Sequence, residues 1–215
     1  MLVSLELKAI ADKHGVLSPE LALGYRAIGL ARQEFDSLDH VRAAVFNTTA
    51  ARLAFDALLG PGDVSVRDCG RHAYTFCHTF TGSVLRLDAR AEVLHLPACC
   101  RLIEDQWLRG QPSADDAVAA YQAVVSEMVA TVLTDPPEHV FSVRRYRCRP
   151  AGEYPDVLCR FARCERCAAW IRLNRLYDVE GFLLCAACAE IEPSWFARTS
   201  SADAARAMHG RTWPR

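Results

Sequence analysis

Four cysteines stand as Cys164-Glu165-Arg166-Cys167 and, after seventeen intervening residues, Cys185-Ala186-Ala187-Cys188. Two C-x2-C pairs at that separation are the ligand spacing of a four-cysteine structural zinc site. Each pair places two thiolates on a tight knuckle whose backbone N–H groups can donate to sulfur, and two knuckles close a tetrahedron. Four thiolates leave no coordination position open, so the expected role of the ion is structural rather than catalytic. The chain between the knuckles supports this: Trp170, Arg172 and Asn174 alternate with Ile171 and Leu173, Asp178 to Gly181 turns, and Phe182-Leu183-Leu184 returns. The expectation is a zinc-ribbon or treble-clef hairpin holding one Zn2+.

The other six cysteines, Cys69, Cys77, Cys99, Cys100, Cys148 and Cys159, are scattered ahead of this window. Cys69 and Cys77 are expected to be small buried apolar side chains, the alternative being a rebuilt metal or thiol site with His78; Cys99-Cys100 stays open, and Cys148 and Cys159 flank the ribbon as spare ligands that the four-cysteine set does not need. A second group of polar residues is gathered in two stretches. Asp68-Cys69-Gly70-Arg71-His72 reads as a turn between strands, where Asp68 and Gly70 have ordinary turn chemistry. Arg71 offers a planar fork for carboxylate or phosphate, and His72 a proton donor near neutral pH. With His14 they form a candidate site for a small anionic ligand.

Elements must position these groups. Ser18 and Pro19 begin a helix over 18–35, with the Ser18 hydroxyl as N-cap and Leu21, Leu23, Tyr25, Ile28 and Leu30 on its apolar face. Val41 to Phe46 reads as a strand, followed by a helix to Leu59 capped by Thr48 or Thr49. From Asp63 to Leu87 the apolar period becomes two, predicting antiparallel strands broken at Asp68-Cys69-Gly70 and Thr81-Gly82-Ser83. Val93 to Leu96 is expected to be one more strand. A long helix is predicted from Ser113 to Asp135, a strand over Val140 to Cys148, a connector over Pro150 to Pro155, and a weak helix over Ala202 to Met208. The fold class is α+β, an antiparallel sheet packed by helices with a small C-terminal zinc-ribbon or treble-clef module. The expected domains are a core over 1–149, the module over 150–195 and a tail over 196–215.

Composition narrows the function classes. With 215 residues, 51% apolar and 24% charged, the chain can bury a core. A net charge of -1 gives no support to nucleic-acid binding. No run approaches about 18 uninterrupted apolar residues, so no membrane span is expected. Glu6, Lys8, Asp12 and Lys13 stand where a signal peptide would be apolar, which makes the cytoplasm the expected compartment and free or metal-bound thiols the expected state of the cysteines.

The segments His14-Gly15-Val16-Leu17-Ser18-Pro19-Glu20-Leu21-Ala22-Leu23-Gly24-Tyr25-Arg26 and Val66-Arg67-Asp68-Cys69-Gly70-Arg71-His72-Ala73-Tyr74-Thr75-Phe76 resemble two motifs of the FmdE family, the E component of formylmethanofuran dehydrogenase. Those motifs have the forms HGHxCPGLALGYR and RDYGKHAFTF. Glu138 to Val143 and Pro150 to Cys167 resemble that family's following strand, linker and zinc ribbon, and the likeness spans about residues 10 to 190. It implies an α+β core, a homodimer, and a metal site near the first motif. By the same resemblance His14, Ser18, Tyr25, Asp68, Arg71 and His72 would line the core site. The chain departs from the family where it has Val16 for the second histidine, Ser18 for the motif's cysteine, and no cysteine between Phe46 and Ala50. His14 with a serine hydroxyl is a poor transition-metal site, so a second metal in the core is not expected.

Three functions follow. The first is a metal-binding member of that family with a degenerate core site, accessory to a molybdenum or tungsten formylmethanofuran dehydrogenase-type system. The second is a zinc-ribbon adaptor for protein or nucleic acid using Arg163, Arg166, Arg172 and Arg175. The third is an enzyme acting on a small anionic substrate through His14, Asp68 and His72. The first is the expectation adopted.

Overall fold

The structure is a computed structural model, and it describes residues 4–60, 62–152 and 160–196. Cys159, part of the expected connector, Pro61 and the tail from 197, with its expected helix at Ala202 to Met208, lie outside the described residues.

The chain divides into two compact units: Met1–Leu38, Val45–Tyr74 and Arg86–Arg144 form one, and Asp39–Ala44, Thr75–Leu85 and Arg145–Arg215 the other. The first contains the helices. Ser4 begins α1 (Leu5–His14) by accepting from the Leu7 N–H at 3.1 Å, and Gly15 ends it at φ 88°, a conformation glycine adopts without steric cost. Ser18 caps α2 (Pro19–Phe35) by accepting from the Leu21 N–H at 3.2 Å, as its sequence predicts. α2 is buried along Leu21, Ala22, Leu23, Gly24, Ala27, Ile28 and Ala31 and packs on α3 (Ala51–Leu58). A Cβ at Gly24 would overlap the Ala51 carbonyl oxygen, so the glycine sets how closely the two helices approach.

The strands are β1 (Val41–Val45), β2 (Val64–Val66), β3 (Ala73–His78), β4 (Ser83–Ala89) and β5 (Phe141–Pro150), then β6 (Phe161–Arg163), β7 (Trp170–Arg172), β8 (Leu176–Val179) and β9 (Phe182–Cys185). Seven are hydrogen-bonded in the order β2-β1-β3-β4-β5-β8-β9, and β6 and β7 make a separate pair. A short turn joins β3 to β4, where the Gly82 N–H reaches the His78 carbonyl at 2.8 Å, and the Ala89 N–H meets the His72 carbonyl at the other end of that pair at 2.8 Å; β2 does not follow into β3 as a neighbour, because β1 lies between them. Phe55 and Tyr74 stack with centroids 5.2 Å apart, and Tyr74 meets Phe141 edge-on at 6.3 Å, forming the aromatic centre of the first unit's core.

Several local expectations are revised. α3 has Ala50 at its N-cap position, but the Thr49 hydroxyl just before it still accepts from the Ala51 N–H at 3.4 Å while donating to Asn47, whereas Thr48 donates to Asp68. Ala91–Leu94 is a 3-10 turn rather than part of a strand. Among the helices longer than one turn, two have no counterpart in the sequence expectations, α1 and α4 (Ala98–Leu108). The long helix, α5 (Asp115–Thr134), starts after Ala114, and Ser113 instead donates to the Gln106 side chain. The short α6 (Pro137–Val140) precedes β5.

α5 is held by its last turns, where Val129 and Val132 are buried. Arg26 on α2 donates to the carbonyls of Leu133 at 2.9 Å and Asp135 at 3.1 Å, satisfying acceptors that a helix C-terminus leaves open. Over an 18-residue window α5 has a mean hydropathy of 1.4, and it is long and apolar enough by length and composition to cross a membrane. Gln122, Ser126 and Glu127 interrupt its apolar run.

Candidate metal centre and core polar cluster

In the second unit, Cys164, Cys167, Cys185 and Cys188 bring their sulfur atoms within 4.8 Å of one another. Cys167 and Cys185 sulfurs are 3.9 Å apart. Two thiolates at adjacent corners of a tetrahedron with metal–sulfur bonds of about 2.3 Å lie about 3.8 Å apart, so this separation fits a shared ion. The knuckles are folded for the purpose. The Ala168 N–H reaches back to the Cys164 carbonyl at 2.8 Å, with Ala168 in the left-handed region at φ 58°, and the Ala189 N–H reaches the Cys185 carbonyl at 2.9 Å. The Cys185 N–H donates to the Cys164 sulfur at 3.3 Å and the Cys188 N–H to the Cys185 sulfur at 3.5 Å. Across the two knuckles the Glu165 N–H donates to the Leu183 carbonyl, and Arg166 to the Cys188 carbonyl, both at 2.9 Å.

The four thiols are not equivalent. Burial pushes the Cys164 thiol up, but backbone N–H groups of Cys167, Cys185 and Arg166 outweigh it and bring it down to about 6. Burial and then the hydrogen bonds with Cys185, Cys167 and Cys164 push Cys188 up to about 12. The four thiols therefore titrate as one interacting set, and the backbone N–H groups around Cys164 favour the thiolate form there. This set can hold a metal ion that prefers thiolate.

The expected core site lies in the first unit. His14 is the exposed last residue of α1, and among the described residues no hydrogen bond or ion pair joins it to Asp68, Arg71 or His72. Ser18 is spent as the α2 cap. The Tyr25 hydroxyl accepts from Ser4 at 2.8 Å. Asp68 accepts from Thr48 at 2.9 Å and from the Gly70 N–H at 3.4 Å, which is the turn role its spacing suggests.

Arg71 and His72 belong to a network that their spacing in the chain does not announce. The buried Asn47 side chain donates to the Arg71 carbonyl at 2.8 Å and lies 3.4 Å from His72 Nδ1. His72 Nδ1 therefore accepts and Nε2 carries the ring proton. Burial lowers the His72 pKa below its ordinary value, with Glu20 opposing, so the ring is neutral at pH 7 rather than a ready proton donor. Beside it the Tyr74 hydroxyl is buried and, among the described residues, has no hydrogen-bond partner; burial pushes its pKa up, and nearby Asn47 opposes part of that shift.

Asp88 collects three guanidinium groups: Arg71 at 2.9 Å, Arg86 at 2.9 Å, and Arg144 at 3.4 Å. Arg86 is fully buried and lies over the Phe46 ring at 4.3 Å from its centroid. Burial would raise the Asp88 pKa, but Arg86, Arg71 and Arg144 together hold it below the ordinary carboxylate value. The alternation Arg86-Leu87-Asp88 on a strand was the available signal, since it puts both charges on one face.

Cys77, Cys100 and Cys148 are buried, and burial pushes the thiols of Cys77 and Cys148 up to about 12, which makes both inert apolar side chains, as expected for Cys77. Cys69 is exposed, against its expectation, because the Asp68-Cys69-Gly70 turn faces solvent, and Cys99 is exposed at the start of α4.

No curated protein matches the sequence. A crystal structure of a tungsten formylmethanofuran dehydrogenase FmdE-like protein from Syntrophus aciditrophicus is similar at 17% identity over 87% of this chain and 91% of that one, with a TM-score of 0.44. The model of the family described as FmdE, Molybdenum formylmethanofuran dehydrogenase operon, matches residues 13–142, more than half of the 215 residues. By that match this chain belongs to the FmdE family.

Proposed function

We propose that this chain is a metal-binding FmdE protein whose single ion is a structural Zn2+ in the Cys164, Cys167, Cys185 and Cys188 centre, and whose core has exchanged a metal site for a polar ligand site. The observation that carries the reading is the approach of four thiol sulfurs to within 4.8 Å. Thiolate-only coordination selects zinc or iron, and zinc needs no redox partner to persist. The family description, which names a molybdenum formylmethanofuran dehydrogenase operon, supports a role accessory to such an enzyme. Elemental analysis of the purified chain tests the metal: one zinc per chain, lost in Cys164→Ser, is expected, and iron or no metal would contradict it.

The core half of the proposal is binding of a small anion at Arg71 and His72. Arg71 is the most exposed of the three guanidinium groups gathered on Asp88, and the half-buried neutral His72 offers Nε2–H beside it. An anion accepting from both would shift the His72 ring resonances. NMR titration with formate, acetate and phosphate checks this, and no shift with any of them would rule the ligand out. A homodimer and a cytoplasmic location complete the reading. The exposed Leu102, Trp107 and Leu108 on α4 support pairing with a second copy, which light scattering of the full chain measures.

A further inference from the structure

The β6–β7 hairpin beside the metal centre carries an arrangement that metal binding does not require. Its register pairs Phe161 with Arg172 and Arg163 with Trp170. Residues two apart on a strand share a face, so Phe161, Arg163, Trp170 and Arg172 all stand on one side, while Ala162 and Ile171 stand on the other. Each ring on that side has a guanidinium across from it: Arg163 lies 5.0 Å from the Trp170 centroid and Arg172 lies 6.0 Å from that of Phe161. The apolar members are not core. Trp170 is 63% exposed and Phe161 53% exposed. No acidic residue occupies any of the four positions.

We propose that this face binds single-stranded nucleic acid, the Trp170 and Phe161 rings stacking bases while Arg163 and Arg172 take the phosphates. The two exposed rings, each with a guanidinium over one face, offer on the other what an unpaired base needs, a flat π surface that accepts any base. The guanidinium groups supply both further stacking planes and donors for phosphate oxygens. An acidic peptide would engage the arginines alone, since the negative faces of the rings repel carboxylates. A duplex keeps its bases stacked on one another and has none to offer. Arg160 before the hairpin and Arg175 after it extend the positive charge in sequence, and Arg166 stands beside Glu165 in the connection between the two strands. From Arg160 to Arg175 the chain has five arginines against Glu165 alone, a local excess that the whole-chain charge of -1 conceals.

Fluorescence anisotropy of the full chain tests the proposal, with labelled oligo(dT), oligo(U), a mixed-sequence duplex and an oligoglutamate peptide, and with zinc content and circular dichroism recorded for every variant. Both single strands are expected to bind at low salt and to weaken steadily as salt rises. Trp170→Ala and the double variant Arg163→Gln/Arg172→Gln are each expected to lose about tenfold or more in affinity, and Trp170→Phe to retain most of it. Phe161→Ala provides the same reading should Trp170→Ala lose its zinc. Absence of single-strand binding, equal binding of duplex, tighter binding of oligoglutamate, or unchanged affinity in variants with full zinc content would each overturn the proposal. A preference between oligo(dT) and oligo(U), at either sign, comes with binding to both and supports it.

Discussion

Asp88 is the residue on which the core charge balance turns. Arg86 is fully buried, and its Nε and Nη2 donate to Asp88 at 3.0 and 2.9 Å. Removing the carboxylate charge strands a cation away from water, and breaking a buried pair in this way costs about 3 to 5 kcal/mol. Asp88→Asn is therefore expected to lower stability by about 3 kcal/mol or more, read by urea denaturation; a loss within experimental error would show that Arg86 is held by its other contacts. His72 sets a pH effect of known sign. Its pKa in the folded chain is below the ordinary 6.5, so the unfolded chain takes up the proton first. The stability it contributes is present above about pH 6.5 and is lost as pH falls from there towards the lower folded value. Asp88, also depressed, adds a second loss at more acidic pH, beginning near the ordinary carboxylate value. Thermal midpoints between about pH 7.5 and about pH 5.5 are expected to fall in the native chain and to fall less in His72→Gln, a span bracketing the ordinary histidine value.

Among the elements, α2 gives a contrast within seventeen residues. At Gly24 a Cβ would overlap the Ala51 backbone, which cannot yield without moving α3. Gly24→Ala is expected to destabilise by about 2 kcal/mol. Nothing stands within 4 Å of a Cβ at Gly29, further along the same helix. Gly29→Ala is expected to stabilise by about 0.5 to 1 kcal/mol through helix propensity alone, and equal signs in the two variants would refute the packing role of Gly24. These two helices and their neighbours also show what could be read from sequence. The start of α2 was legible because its cap is local: Ser18, Pro19 and a following apolar face. The strands from Val64 to Ala89 were legible from a period of two. α4 was not, since Cys100 is its sole buried side chain among the described residues and no apolar face marks it. The four-cysteine cluster was legible because a tetrahedral metal site fixes the spacing of its ligands in the chain. Asn47, Arg86 and Asp88 were missed because their meaning lies in groups brought from other segments, Arg71, His72 and Arg144. The same tertiary placement explains why His14 and Asp68, conspicuous as residue types, are found at a helix end and in a turn.

At the scale of the whole molecule, the metal centre joins segments that have little else to hold them. β6 and β7 are three residues each and paired only with one another, so their apolar contacts cannot offset the entropy of ordering them. Stripping the ion with a strong chelator is expected to expose Arg163, Arg166 and Arg172 to trypsin, followed by mass spectrometry of the peptides. Readdition of zinc should restore protection. Tryptic resistance unchanged by complete metal removal would mean that the cysteines fold without an ion. The central claim is that the chain holds one ion, in the four-cysteine centre, and none in its core. Native mass spectrometry of the full chain with elemental analysis tests it most directly. One zinc per chain, absent when Cys164 and Cys185 are both replaced by serine, is the predicted result, and two tightly held ions per chain, or one that survives those replacements, would contradict it.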